Sequence, residues 1–551
     1  MTTALPQAVR RSLEKTFGIR RLRGGQAEVI ARVLEGRDTL AVMPTGAGKS
    51  LCYQLPALHL DGRTVVVSPL IALMKDQADK LDEAGVAAEA LHSALPAGEE
   101  RAALQRLAED EQGIVFTTPE RLADADFLAT LQSAKVGLLV VDEAHCISQW
   151  GHDFRPAFLQ IGEAAKALGS PPVLALTATA TPQVIEDIRR QLRRPRLEVV
   201  NTGVYRPNLV MQVVQATSED EKDRRLDEAL SRAEGSGIVY TATVKAAQAV
   251  HARLLAAGES VALYHGKLRA AERHAAQDRF MNGEVRLMVA TNAFGMGIDK
   301  PDIRFVLHYQ MPGKLEAYLQ EAGRAGRDGD KADCLLLFHR KDRQVQQFFL
   351  AHAHPGEADL AAVHGALTTA GGPLTLAALA EALPGFTPGR LQSVLTRLRD
   401  AGRVRTDRQR RWRSVGREPL DAPALQALVV EQQEQDEHDR EALERMVFYA
   451  QTGWCRWRVL LDWFGEAPPF EQHCGHCDNC LRPPVVPAEP GDTDRPATEA
   501  PAVPRFAAGD SVVVPRHGDG RVLSVAGDEV EVVFPDGQAR RFVADYVRRS
   551  A

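Results

Sequence analysis

Met43-Pro-Thr-Gly-Ala-Gly-Lys-Ser50 follows the short apolar run Leu40–Met43 and precedes a segment with helical periodicity. A glycine-rich turn between a strand and a helix aims backbone N–H groups at a phosphate, and the helix dipole favours an anion there. Thr45, Gly46, Gly48, Lys49 and Ser50 then form a nucleotide cradle. Lys49 reaches the β- and γ-phosphates, and the Ser50 hydroxyl is a ligand for Mg2+. Met43 stands where the usual pattern has its first glycine. The stretch predicts a parallel α/β domain that binds ATP.

Two further stretches extend that reading. Val140-Val-Asp-Glu-Ala-His145 ends a strong apolar strand. Asp142 is the candidate magnesium ligand with Ser50, and Glu143 the candidate for polarising the attacking water. Gln320-Glu-Ala-Gly-Arg-Ala-Gly-Arg327 is expected to set Gln320, Arg324 and Arg327 on one helical face, with the arginines meeting the γ-phosphate across a domain cleft. Gly323 and Gly326 argue against a merely solvated basic helix, which gains nothing from glycine.

At 551 residues the chain is too long for one core. An apolar fraction of 44% and a charged fraction of 25% are ordinary for a soluble protein. No apolar run reaches the ~18–20 residues that span a bilayer, so no membrane partner is expected. Met1 to Arg11 lacks the apolar core of an export signal. The net charge of -6 gives no global support for nucleic-acid binding, which must rest on local patches.

Short β-branched runs alternate with helical patterns: Leu40–Met43, Thr64–Val67, Gly113–Phe116, Val136–Val141 and Val173–Leu176, then Gly237–Tyr240, Val261–Tyr264, Leu287–Ala290, Phe305–His308 and Cys334–Phe338. That alternation predicts two parallel-sheet domains, 1–205 and 206–350, joined near Asn201–Asn208. Residues 356–420 read as three helices and a two-stranded wing. Arg390–Arg417 holds ten arginines against two aspartates, with Trp412 in the wing, a candidate patch for duplex phosphates. A helical subdomain at 424–482, a linker at 483–504 and a small β-barrel at 505–551 complete the expected order.

Cys455, Cys474, Cys477 and Cys480 are four of the seven cysteines, and their spacing suits tetrahedral Zn2+ in a closed structural site. His473 and His476 are possible substitutes for one of them. Cys52, Cys146 and Cys334 sit in or beside core elements and are expected to be packed.

Several segments together resemble the RecQ-type DNA helicases, a family with two RecA-like domains. They are Met43–Gln54, Val67–Gln77, Thr118-Pro-Glu-Arg-Leu122, Asp142–Pro156, Leu176–Ala180, Ala290–Lys300 and Gln320–Gly329. The likeness runs over about 12–345 and resumes at 440–482, with Ala47 where the family usually has glycine. It implies that Phe17, Gly18, Arg23 and Gln26 read adenine and that the four cysteines are the zinc ligands. It also implies ATP-driven 3′→5′ unwinding in recombination and repair, on single-stranded and duplex DNA, in a bacterial cytoplasm at the nucleoid. Trp150, His152, Phe154 and Arg155, straight after the catalytic acids, form an aromatic-rich loop expected to stack on a base. Ser68, Thr118, Arg121 and Thr291, with Gly295 and Gly297, are expected to touch the sugar-phosphate backbone. The chain departs from the usual order, because the winged-helix-like segment precedes the zinc module. Its tail is similar to SH3/Tudor-like barrels that dock protein partners, such as RNA polymerase or a repair factor. An ATPase that remodels without unwinding, an RNA helicase and a zinc-dependent regulator are the alternatives.

Overall fold

The computed structural model describes residues 5–92, 95, 97–109, 112–151, 153–295, 298–352, 356–407, 411–416, 418–483, 506–514, 518–526, 529–534, 539–544 and 547–550. The chain forms two compact units, Met1–Pro484 and Val485–Ala551.

In the first unit, seven strands build the first sheet: β1 (Thr39–Val42), β2 (Arg63–Val67), β3 (Ala88–Leu91), β4 (Gly113–Thr117), β5 (Val136–Val141), β6 (Val173–Thr177) and β7 (Glu198–Asn201). All pair in parallel, in the order β3-β4-β2-β5-β6-β1-β7. Side chains alternate across a strand, so Val65, Val67, Leu139 and Val141 join one apolar cluster while Val66, Leu138 and Val140 join the other. Both faces are thus dry, which is why the strands read as continuous apolar runs.

The second sheet holds β8 (Leu209–Ala216), β9 (Ser236–Tyr240), β10 (Val261–Tyr264), β11 (Leu287–Ala290), β12 (Ile303–His308) and β13 (Ala332–His339). It is also parallel, in the order β10-β11-β9-β12-β13-β8. The five strands expected in each domain are present. β3, β7 and β8 are additions, and each contains charged or amide residues that interrupt the apolar run. Beneath the second sheet Lys222 is fully buried, with Nζ 2.7 and 2.8 Å from the two Asp342 carboxylate oxygens.

Residues 356–420 form helices Glu357–Ala370, Leu376–Ala382 and Pro388–Asp400, then the antiparallel pair β14 (Val404–Thr406) and β15 (Trp412–Ser414). Thr375 and Thr387 cap the second and third helices through their hydroxyls. Trp412 corrects the expectation of a DNA-facing wing residue. Its side chain is 5% exposed and packs with Leu367, Leu391 and Leu395, the best refuge for the largest apolar ring in a small core. Asp421 caps a 30-residue helix, Ala422–Gln451, that begins in this cluster with Leu425 and Leu428. It ends against the second sheet, where Leu443, Met446 and Tyr449 share one core with Ile238, Met288 and Val306. Trp457, Leu460 and Phe464 join the same core. The expected zinc subdomain is therefore part of the second lobe's covering layer.

The second unit is a five-stranded antiparallel sheet: β16 (Ser511–Val514), β17 (Gly518–Ala526), β18 (Glu529–Val533), β19 (Ala539–Val543) and β20 (Arg548–Arg549), in the order β19-β18-β17-β16-β20. Among the described residues no pairing joins β19 to β20. Asp519-Gly520, expected as a turn, lies inside β17. The expected linker falls almost wholly outside the described residues.

Candidate nucleotide and nucleic-acid site

The loop after β1 turns through Gly46 at φ +84° and Gly48 at φ +76°, a region costly for residues with a Cβ. A Cβ on Gly48 would stand 2.7 Å from Gln26 Nε2. Met43, in place of the usual first glycine, is a fully buried core residue. Gln26 Nε2 donates to the Ala47 and Gly48 carbonyls at 3.1 and 2.9 Å, and Arg23 Nη1 donates to Gly46 O. The residues expected to read adenine thus brace the loop as well. Thr45 and Ser50 are half-buried, and Ser50 heads the helix Leu51–Ala57.

Lys49 Nζ donates to Met43 O at 3.2 Å. Desolvation lowers its pKa, opposed by the charges of Glu143 and Asp142. Burial, reinforced by the adjacent Glu143 charge, pushes the Asp142 carboxyl up to about 7. Ser68 Oγ donates to Asp142 Oδ2 at 3.3 Å. Glu143 sits at φ 49°, ψ 48°, a left-handed conformation that costs a non-glycine residue about 1 kcal/mol or more and concentrates at functional sites. Burial raises its pKa too, while Lys49 and then Arg324 pull it down. Glu143 Oε2 is buried without a hydrogen-bond partner, 3.4 Å from His145 Nδ1. Two desolvated carboxyls, one with an orphaned oxygen, fit a divalent cation held by Asp142 and Ser50.

The arginine segment differs from its expected form. The helix Leu315–Ala322 stops at Gly323, and Gly326 adopts φ +56°. Arg324 and Arg327 therefore leave a turn, and they share no helical face with Gln320. The turn brings Arg327 against the phosphate loop: a Cβ on Gly46 would meet Arg327 Cγ at 3.1 Å. Arg327 Nη1 donates to Asp299 Oδ1 at 2.7 Å, and burial lowers its pKa. Arg324 is buried, with Nε unpartnered. Gln320 and Gly323 line the interlobe cleft opposite Pro44, Thr45 and Thr179.

Residues expected at DNA are mostly engaged within the protein. Ser68 is committed to Asp142. Thr118 Oγ1 accepts from Arg121 N at 3.3 Å and caps Pro119–Leu122. Arg121 pairs with Glu100 and lies over the Phe127 ring. Thr291 is buried and accepts from Ala293 N. These internal bonds share one cause: polar groups at buried positions must find partners. Trp150 is half-buried and meets His438 of the long helix edge-on, with ring centroids 5.0 Å apart. Phe154 is half-buried, and Arg155 holds Asp153 and Pro69 O. His152 and Gly297 lie outside the described residues.

The Sγ atoms of Cys455, Cys474, Cys477 and Cys480 lie within 4.8 Å of one another. The Cys474–Cys480 and Cys477–Cys480 separations are 3.8 and 3.3 Å. Thiolates ~2.3 Å from a tetrahedral zinc stand about 3.8 Å apart, so the cluster fits Zn2+. The Cys474 and Arg456 amides point at Cys455 and Cys477 sulfur. The four-sulfur group includes neither His473, which is exposed, nor His476, whose Nδ1 contacts Cys474 O at 2.8 Å. Cys52, Cys146 and Cys334 are buried, as expected.

Three families match in order along the chain: the DEAD/DEAH box helicases at residues 23–188, the helicase conserved C-terminal domain at 221–329 and the RecQ zinc-binding family at 411–481. The ATP-dependent DNA helicase RecQ of Synechocystis sp. is 34% identical over 494 residues, which cover 86% of this chain and 98% of that protein. The chain belongs to the RecQ family. The ATP-dependent DNA helicase RecQ of Bacillus subtilis is 48% identical over 344 residues, 62% of this chain. That match spans 58% of the Bacillus protein's own length. The solved structure of the DUF1998 helicase MrfA bound to DNA, 18% identical, shares the two-lobed fold at a TM-score of 0.51, over 76% of this chain and 64% of that one.

The RecQ chain also uses residues that the motifs did not flag. His145 Nδ1 lies 3.0 Å from Thr177 Oγ1, and burial with the Lys49 charge holds its pKa down at about 3, so it is neutral. Arg206 donates to the carbonyls of Gly323 and Gly326, and Asn208 Nδ2 to those of Gly326 and Asp330. Both lie in the interdomain join, where apolar periodicity carries no signal.

Proposed function

We propose that the chain is an ATP-driven DNA helicase acting 3′→5′ in recombination and repair. The observation that carries this reading is Arg327 of one lobe laid against Gly46 in the phosphate loop of the other. A nucleotide in that loop, with its terminal phosphate at the arginines, ties the lobes together; water attack breaks the bond to ADP, and departure of the inorganic phosphate removes the charge that Arg324 and Arg327 neutralise. Lys49 binds the β- and γ-phosphates, Gln320 faces the same cleft, and Glu143 orients the attacking water. Mg2+, when held by Ser50 and Asp142, neutralises phosphate charge. His145, neutral beside Glu143, leaves that carboxylate's charge available to the water.

Trp150, Phe154 and Arg155 lie within about a dozen residues of Glu143 and form the candidate contact to single-stranded DNA, coupling occupancy to hydrolysis. Exposed Arg403, Arg405 and Arg413 on the wing are the candidates for duplex phosphates. Nucleoid association and docking of RNA polymerase or a repair factor on the C-terminal sheet belong to the same proposal. Strand displacement on matched DNA and RNA substrates tests it. DNA unwinding that needs ATP and is abolished by Lys49→Ala is the expected result. Equal unwinding of RNA, or none of either, refutes the substrate assignment. Trp150→Ala is expected to keep basal ATP turnover and lose its stimulation by DNA.

A further inference from the structure

A short path of packed residues runs from the cysteine cluster to the join between the lobes. Cys455 starts the helix Arg456–Trp463, which is eight residues and about 12 Å long. Trp457 Nε1 donates to Leu209 O, fixing this helix to the first strand of the second sheet. At its other end Trp463 Nε1 donates to Glu316 Oε1 at 2.8 Å, in the helix that delivers the arginine turn. Gly465, at φ +67°, then turns the chain onto the first lobe, where a Cβ would stand 3.0 Å from Pro182 Cγ. Glu466 follows. Its Oε1 accepts from Asn201 Nδ2 at 3.1 Å and its Oε2 from Val204 N at 2.8 Å.

Those two donors bracket the point where one lobe becomes the other. Asn201 is the last residue of β7, and Gly203 sits at φ +81°, a conformation that strains a residue with a Cβ, with Glu466 Oε2 only 3.3 Å from where that Cβ would stand. Asn201 Oδ1 in turn accepts from Gly203 N at 2.9 Å. Two residues beyond Val204, Arg206 clamps the carbonyls of Gly323 and Gly326 on either side of Arg324.

We infer that Glu466 is a positioning residue of the motor: it fixes the interlobe hinge from the zinc module, so that Arg206 presents Arg324 and Arg327 to the phosphate loop in register. Glu466 touches no reacting atom. It sets where the second lobe pivots, and the cysteine cluster holds the helix that carries it. The inference rests on the reading of the cleft as an ATP-hydrolysing site.

The test uses the full chain, with single-stranded DNA and ATP. Wild-type turnover comes first: without DNA-stimulated hydrolysis the reading of the cleft fails, whatever Glu466 does. Given that turnover, Glu466→Ala is expected to lower kcat between about tenfold and a hundredfold, the scale of a small misplacement at a distance from the chemistry. KM for ATP stays within about threefold, because Lys49 and the phosphate loop, which Glu466 does not touch, keep their hold on the nucleotide. Zinc content by atomic absorption is unchanged. Glu466→Gln recovers most of the rate, since its carbonyl oxygen still accepts from Val204 N. A kcat for Glu466→Ala within about twofold of wild type overturns the inference. If that variant loses zinc or fails to fold, Asn201→Ala decides: a lowered kcat with KM held supports the hinge role, and an unchanged kcat overturns it.

Discussion

Asp142→Asn gives the sharpest test of the site's electrostatics. The Asp142 carboxyl is moved from its ordinary 3.8 up to about 7 by burial and the neighbouring Glu143. An acid whose pKa is higher folded than unfolded holds its proton more tightly in the folded state. Its contribution to stability is therefore intact below about 3.8, declines as pH rises, and is fully lost above about 7. A displacement of this size corresponds to about 4 kcal/mol. Residual solvent access to the half-buried Asp142 reduces that to about 1–2 kcal/mol. Asp142→Asn removes the penalty. Without divalent cations the variant is expected to melt higher than wild type near about pH 8, by about 2–8 °C for a domain of this size, and to converge with it near about pH 4. Mg2+ with a non-hydrolysable nucleotide is expected to reverse the order, because only the wild-type carboxylate can ligate the ion. The measurement is a thermal unfolding series across pH, with chelator and with Mg2+-nucleotide. Melting curves for the two proteins that stay parallel from acid to alkaline pH would refute the reasoning.

Arg327→Ala is expected to lower kcat for ATP hydrolysis by about 10³-fold or more with KM little changed, as steady-state kinetics will read. Cys477→Ser is expected to abolish zinc binding and to cost several of the ~10–16 kcal/mol that a structural zinc supplies, seen as lost metal and a lower melting point of the second lobe. Lys222→Met leaves Asp342 buried and unpaired, an expected loss of about 3–5 kcal/mol in denaturant titration, largely restored by adding Asp342→Leu.

Much of the candidate cleft was legible because the residues that line it are placed by local sequence. Lys49 and Ser50 are fixed by the turn that holds them, and Asp142 and Glu143 by the end of one strand. The four cysteines lie within a short enough span for their spacing to define a site. What escaped was set by distance in sequence or by packing. The arginine stretch reads as helix by period, yet Gly323 and Gly326 break it, and only the facing lobe explains why a turn is needed. Ser68, Thr118 and Thr291 look like free polar groups until burial demands partners for them. Trp412 reads as an exposed ring on a basic wing, but the small core beneath it had nothing larger to fill the space. Arg206 and Glu466 carry no motif at all, since the partners of each lie over a hundred residues away in sequence.

The shared core between the second sheet and the 443–464 segment has a practical consequence for anyone trimming the chain. A truncated protein ending soon after β13 would keep every nucleotide motif and still strip Tyr449 from Tyr318 and Trp457 from Leu209, and so should precipitate instead of yielding a minimal engine. A cut at Pro484, where the first compact unit ends, keeps the whole 443–464 segment.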